Sequence, residues 1–278
     1  MSAVVAAEEL VVLAALALAP ALLYLAVVRK SERYRAEGWG TLLGGFVYGA
    51  LFATIAAGVL ELLIVALGTS VSQRYPGPEF LFLNGNSPAG SFFLVLVVAP
   101  FIEEALKASG VVGRRARIGR LADGPVIGAS VGLGFGFFET FLYGLGAFVV
   151  GGLVAGIALI ALRSVSSVLL HGSSTGMFGY GYARSKFAVP GPGSGGYYLL
   201  AVGMHAAFNA LASAAVLLAL VGVTGVAALA AAYLALFGAI GFAVAAIEHV
   251  RRVTQAADYP ALLPRAPAVP VRPPSRRP

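Results

Sequence analysis

Two adjacent glutamates lie inside an apolar segment that is long enough to cross a bilayer. The segment runs from Ser91 to Val112 and carries Glu103, Glu104 and, one helical turn further on, Lys107 near its middle. An ionised side chain at that depth costs about 3 kcal/mol on insertion scales. Because the other apolar segments contain few charges, we expect these three residues to be the first candidates for chemistry.

Four further polar groups lie deep in other apolar segments: Glu139, His171, His205 and Asn209. Counted from the predicted inner face, all lie about ten to fifteen residues into their segments, which is roughly 15–22 Å along a helix. The sequence therefore predicts that four helices bring carboxylates, two imidazoles and an amide to one level of the membrane.

Two kinds of chemistry fit this set of side chains. A glutamate beside a histidine can take a proton from water, and a histidine and an asparagine on one helix face can stabilise an oxyanion. Alternatively, His171, His205 and Glu139 can hold a zinc ion and leave another glutamate as the base. Both versions suit hydrolysis of a peptide bond. No cysteine is present, which excludes a thiol nucleophile and a thiolate metal site.

Local spacing supports presentation of these groups from one side of each helix. Residues four apart share a face, which relates Glu103 to Lys107, His205 to Asn209, and Phe135 to Glu139. Pro100 lies one turn before the glutamate pair and is expected to kink its helix and free a carbonyl group.

The composition indicates a membrane protein with several spans. Hydrophobic residues make up 59% of the 278-residue chain and charged residues 11%, whereas soluble domains contain about 25% charged residues. Each predicted span is near the ~20 residues that a transmembrane helix needs. The seven predicted spans are residues 10–28, 40–67, 91–112, 125–149, 160–183, 196–220 and 225–248.

Basic residues cluster at alternate ends of these spans. The clusters follow spans one, three, five and seven and begin at Arg29, Arg114, Arg184 and Arg251. By the positive-inside rule, this predicts an all-α bundle of about seven transmembrane helices in the cell membrane, with the N-terminus out and the C-terminus in. We expect residues 1–250 to form one domain, with the motifs in about 91–220, and residues 251–278 to form a disordered cytoplasmic tail rich in Pro and Arg.

The order of the motifs resembles the PrsW family of intramembrane proteases, which is grouped with the CAAX prenyl endopeptidases and bacteriocin-processing enzymes in one membrane superfamily. The motifs are E-E-x-x-K from Glu103, F-x-x-x-E from Phe135, the lone His171, and H-x-x-x-N from His205. The resemblance covers about residues 95–210. It implies an intramembrane endopeptidase that cuts a membrane protein, which in some relatives is an anti-sigma factor.

By position, the resemblance implies that Glu103 is the base that activates water, with Glu104 beside it and Lys107 as its partner one turn on. It gives Glu139 a place that a histidine holds in the CAAX endopeptidases, so that Glu139 is a second catalytic group or a metal ligand.

His171 matches the family's lone histidine, and His205 and Asn209 match its final motif, in which many PrsW-like chains have Asp. An asparagine there favours an oxyanion donor. PrsW-like proteins are described as metalloproteases, whereas the prenyl endopeptidase branch works without bound metal. A zinc-dependent mechanism and a metal-free glutamate mechanism therefore both stay open.

Two other functions fit parts of the pattern. Intramembrane Glu and His side chains also form proton relays, which would make the chain a proton- or cation-coupled transporter. The common depth of the groups and the absence of an internal repeat disfavour this interpretation. A catalytically silent scaffold or immunity protein of the same superfamily is disfavoured by the intact set of Glu and His residues. Glu61 and Arg163 match no motif, and we expect Glu61 to be structural, paired with Arg163 or a backbone group.

Overall fold

The computed structural model of the chain describes residues 3–258, and every regular element in that range is helical. This confirms the predicted all-α class. Ten α-helices follow one another, with π-helical turns at Tyr48–Ala53 and Leu94–Val98 and a 3₁₀ helix at Pro78–Leu83. The helices are α1 (Ala3–Arg29), α2 (Trp39–Val47), α3 (Thr54–Arg74), α4 (Pro88–Phe93), α5 (Ala99–Gly113), α6 (Asp123–Ser164), α7 (Ser167–Lys186), α8 (Ser194–Ala212), α9 (Ala214–Leu220) and α10 (Gly225–Ala257).

Within residues 3–258, five helical stretches are long and apolar enough to cross a membrane. The number becomes six if α8 and α9, which meet at a bend of 66°, are taken together as one span. The chain is therefore a multi-pass membrane protein. The predicted count of seven is higher because the prediction divided residues 123–186 into two spans. By length and composition these residues form one long helical stretch.

That long stretch reverses direction at Gly152, whose φ of +75° lies in the left-handed region that favours glycine. The helical arms before and after Gly152 pack against each other. Their approach is so close that a Cβ at Gly144 would collide with Ile160, and one at Gly132 would collide with the carbonyl of His171. The sequence had ended the fourth span at residue 149 and begun the fifth at 160. The helices instead continue into the apolar residues between those limits.

The glycines four residues apart on α6 allow this close approach. A Cβ at Gly124, Gly128 or Gly136 would meet backbone atoms of α7. Small residues at such positions let two helices in a membrane approach until their backbones touch. This close packing brings side chains of α6 and α7 together at the level of His171.

The end of α10 is held by a buried charge cluster outside the spans. Arg120 Nη1 lies 2.6 Å from Asp258 Oδ1, and its Nη2 lies 2.7 Å from Asp123 Oδ1 and 3.3 Å from Glu32 Oε1. Because α10 continues to Ala257, the predicted start of the tail at residue 251 is too early. The remainder of the predicted tail, from residue 259, lies outside the described residues.

This charge cluster predicts a pH-dependent stability. Burial raises the pKa of the Glu32 carboxyl to about 8, and the charge of Asp123 adds to the rise, against a hydrogen bond from the Glu37 amide and the charge of Arg120. The folded chain then keeps a proton that the unfolded chain releases near its ordinary pKa of 4.5. The contribution of Glu32 to the free energy of unfolding is therefore greatest below about pH 4.5 and falls as the pH rises to about 8, by at most about 1.4 kcal/mol per unit.

Denaturant unfolding in detergent between about pH 5 and about pH 8 measures this slope. Glu32→Gln carries no proton to release, so its slope should be shallower than that of the wild type. Equal slopes in the two proteins would contradict the assignment to Glu32.

Candidate active site

A cavity of about 500 Å³ lies among α3, the π-helical turn at Leu94–Val98, α5, α6, α7 and α8. Its ionisable lining consists of Glu61, Glu103, Glu139, Tyr143, Arg163, His171 and His205. Asn209 and Phe135 also line it. The structure thus brings most of the predicted site residues to one cavity. Glu104 and Lys107 do not line it and are buried in the protein beside it.

Glu104 is an acceptor inside the protein. Its Oε1 accepts hydrogen bonds from Lys107 Nζ at 2.7 Å, from Ser174 Oγ at 3.0 Å, and from His205 Nδ1 at 3.1 Å. The side chain is 2% exposed and does not line the cavity. These contacts fit a group that orients its neighbours.

Glu103 differs from its neighbour because it faces the cavity. Its Oε2 is buried and has no hydrogen-bond partner among the described residues. Among the described residues, three side-chain nitrogens of Lys and His lie within 4.0 Å of it: Lys107 Nζ at 3.7 Å, His205 Nε2 at 3.9 Å and His171 Nδ1 at 4.0 Å. Glu103 is therefore the member of the pair that is available to a water molecule or a ligand.

The hydrogen bonds of the two histidines define their tautomers. Lys107 Nζ lies 2.8 Å from His171 Nδ1, and an ammonium group can only donate, so Nδ1 accepts and Nε2 carries the proton. That proton is donated to Glu139 Oε2 at 2.8 Å. In His205 the proton on Nδ1 is donated to Glu104, which leaves Nε2 bare. The bare Nε2 of His205 lies 3.9 Å from Glu103 Oε2, whereas the lone pair of His171 Nδ1 accepts from Lys107 and lies 4.0 Å from the same oxygen.

Glu139 is held by a cation on the opposite arm of the hairpin. Arg163 Nη2 lies 2.7 Å from Glu139 Oε2 and 2.9 Å from Ser167 Oγ, and its guanidinium lies 4.0 Å from the centre of the Tyr143 ring. Glu139 therefore contacts the Nε2 side of the His171 ring, opposite the Nδ1 atom that lies near Glu103. The predicted alternative, an ion pair between Arg163 and Glu61, is not among the salt bridges of the described residues.

Phe135 and Lys107 support the same group. The Phe135 ring lies 5.0 Å from the His171 ring, and Lys107 Nζ lies 4.4 Å above the Phe135 ring. Lys107 is fully buried, so its ammonium stays inside as a counter-ion and does not reach the membrane surface.

Asn209 is fixed by the irregular backbone before α5. The Ala99 amide bonds to Leu94 O, in the i to i+5 pattern of a π-helix. The same pattern would pair Val95 O with the nitrogen of Pro100, which has no hydrogen. Asn209 Nδ2 donates to Val95 O instead, at 2.8 Å, which leaves its second N–H free to point elsewhere.

Two residues of the site, Ser167 and Ser174, belong to none of the motifs identified in the sequence. Ser167 bonds Arg163 and Glu139, and Ser174 bonds Glu104. Their positions four residues before and three residues after His171 place them on its helix face, and this spacing was the available signal.

Glu103, His171 and His205 fit a metal ion. One ligand atom from each lies within 4.8 Å of the others, and two imidazoles with one carboxylate are a donor set of catalytic zinc sites. The nitrogen of each histidine that faces away from Glu103 bonds a carboxylate, and such a bond fixes the orientation of zinc-binding histidines. The predicted set had Glu139 in place of Glu103. Lys107 competes for His171 Nδ1, and its ion pair with Glu104 can persist when that hydrogen bond is given up.

Comparison with known proteins yields one match. Residues 37–247 match the family described as PrsW family intramembrane metalloprotease. No curated protein and no solved structure shows significant similarity to the chain.

Proposed function

The chain belongs to the PrsW family of intramembrane metalloproteases, and we propose that it hydrolyses a peptide bond of a membrane protein at the cavity wall formed by Glu103, His171 and His205. The observation that carries this proposal is the meeting of three acceptor atoms, Glu103 Oε2, His171 Nδ1 and His205 Nε2, at which Lys107 is the one cation that residues 3–258 supply. Such a site favours a cation or a water molecule that donates hydrogen bonds.

Glu103 is the group that moves the proton. Its other oxygen, Oε1, would stay unbound when Oε2 holds the metal, and Oε1 accepts a proton from water while the water oxygen bonds to the carbonyl carbon of the substrate. The same proton passes to the amide nitrogen as the carbon–nitrogen bond breaks, so that a carboxylic acid and an amine leave. Neutral His205 has no proton on Nε2, and we therefore assign the oxyanion hydrogen bond to the second N–H of Asn209.

We propose that zinc is held by Glu103, His171 and His205. When bound, it supplies a Lewis acid and lowers the pKa of its bound water to about 7. The protein's part is to hold the two imidazoles in one tautomer: Glu104 fixes His205 and Glu139 fixes His171.

The membrane topology completes the proposal. If the two arms that meet at Gly152 cross the bilayer separately, and α8 with α9 forms one span, the described helices make seven crossings. The positive-inside rule then gives the N-terminus out and the C-terminus in, in the cell membrane. We propose that residues 1–250 act as one protease domain and that the substrate is a single-span protein, with anti-sigma factors as one class to test.

Cleavage of single-span reporters in liposomes tests this function. The panel includes anti-sigma-type reporters, and the products are mapped by mass spectrometry. The wild type should cut at least one reporter within its span, and His171→Ala with His205→Ala should lower the rate by about 100-fold or more. The matched control is His249→Ala, because His249 is exposed on α10 and does not line the cavity. Undiminished cleavage by the double variant would contradict the proposal.

A further inference from the structure

Glu61 on α3 is a cavity carboxylate that the hydrolytic step does not use. Its Oε1 is buried and has no hydrogen-bond partner among the described residues. The other acids of the region have cations at hand: Lys107 for Glu104 and Arg163 for Glu139. An unpartnered carboxylate inside a membrane is costly, which makes it a functional residue by default.

The position of Glu61 opens onto free space. Thr54, Ala57, Gly58 and Glu61 line the cavity from one face of α3, at the spacing of helix neighbours. A Cβ placed on Gly58 would meet nothing within 4 Å, so the space beside Glu61 is not filled by the protein. A side chain of a bound substrate can therefore approach the carboxylate.

The charges around the cavity define what that side chain should be. Three carboxylates, Glu61, Glu103 and Glu139, and one cation, Arg163, belong to its lining in the described part of the chain. Arg163 is engaged by Glu139, and Lys107 forms an ion pair with Glu103. Glu61 is therefore the carboxylate of the lining that has no salt bridge among the described residues.

We propose that Glu61 is a specificity residue that binds a basic side chain, Lys or Arg, of the substrate near the bond that is cut. The inference rests on the proposed protease function and adds the substrate class to it. A paired lysine or arginine would satisfy the buried oxygen and balance the charge, whereas an apolar residue at the same place would leave both unmet.

The test uses one reporter that the wild type cuts, with Lys, Met or Glu placed in turn at each position flanking the cut. Met is the uncharged counterpart of similar length. The wild type should prefer Lys to Met at one position by about tenfold or more in kcat/KM. Glu61→Gln should reduce this ratio to below about threefold while it cuts the Met reporter as the wild type does. Glu61→Lys should favour the Glu reporter, and Glu8→Gln, which changes an exposed glutamate on α1, should keep the wild-type ratio.

The outcomes separate this inference from the function on which it rests. A Lys to Met ratio that is the same in the wild type and Glu61→Gln, or no preference at any position, overturns the role of Glu61 and leaves the protease intact. An equal loss on all reporters in Glu61→Gln would assign Glu61 a structural role and also overturn it. If the wild type cuts no reporter, the protease function fails and the substrate class fails with it.

Discussion

Glu103→Gln should reduce peptide-bond cleavage by about 10²–10⁴-fold, which is the usual contribution of a general base. Glutamine keeps the shape of the side chain but cannot accept the proton of water. Because Oε2 of Glu103 has no hydrogen-bond partner among the described residues and its ion pair with Lys107 is long, at 3.7 Å, the substitution should change the stability much less than it changes cleavage. Single-turnover cleavage and thermal unfolding of the same preparations measure the two properties.

The adjacent residue provides the sharpest comparison. In Glu104→Gln the loss of the charge that balances Lys107 should destabilise the fold, by roughly 3–5 kcal/mol, as removal of one partner of a buried ion pair does. Glu8→Gln should change neither cleavage nor stability. If Glu103→Gln still cuts its reporter while a stable Glu104→Gln does not, the base is Glu104 and the assignment made here is wrong.

Many residues of this site could be predicted from the sequence because apolar helices contain few charged side chains. Glu103, His171 and His205 were singled out by their depth in separate spans, and the structure brings ligand atoms of all three within 4.8 Å. The shared-face spacing of Glu103 and Lys107 is likewise reflected in a distance of 3.7 Å. Depth is a property that residue counting can supply.

The sequence could not predict which way each helix is rotated, and therefore which side chains face each other across the bundle. Whether Glu139 or Glu103 joins the two imidazoles depends on the rotation of α6 and on Arg163, which returns to the site only because the chain reverses at Gly152. The sequence showed Gly152 as one glycine among many in an apolar run. The turn at Gly152 therefore determines both where the two helical arms end and which cation pairs with Glu139.

The end of the last helix was misplaced for a related reason. Four of residues 251–257 are polar, and the segment precedes a run rich in Pro and Arg, which is typical of a tail. Asp258 is buried, where it pairs with Arg120 and accepts hydrogen bonds from the backbone amides of Arg33 and Tyr34. These contacts hold residues 251–257 against the rest of the fold. Such contacts join residues more than 130 positions apart and leave no local pattern.

Removal of metal should have an effect as large as loss of Glu103. Two imidazole nitrogens and one carboxylate oxygen meet in a buried site, and without a metal ion the described part of the chain offers them Lys107 as their cation. We therefore expect about one zinc ion per chain in the wild type and much less in His171→Ala and in His205→Ala. His249→Ala should retain the wild-type zinc content.

The most direct measurement is the cleavage rate of one reporter by wild-type protein that has been stripped with a chelator and then titrated with zinc. The stripped protein should cut as slowly as Glu103→Gln, and about one equivalent of zinc should restore the rate. Full cleavage by protein that contains no measurable metal would contradict a metal centre at Glu103, His171 and His205.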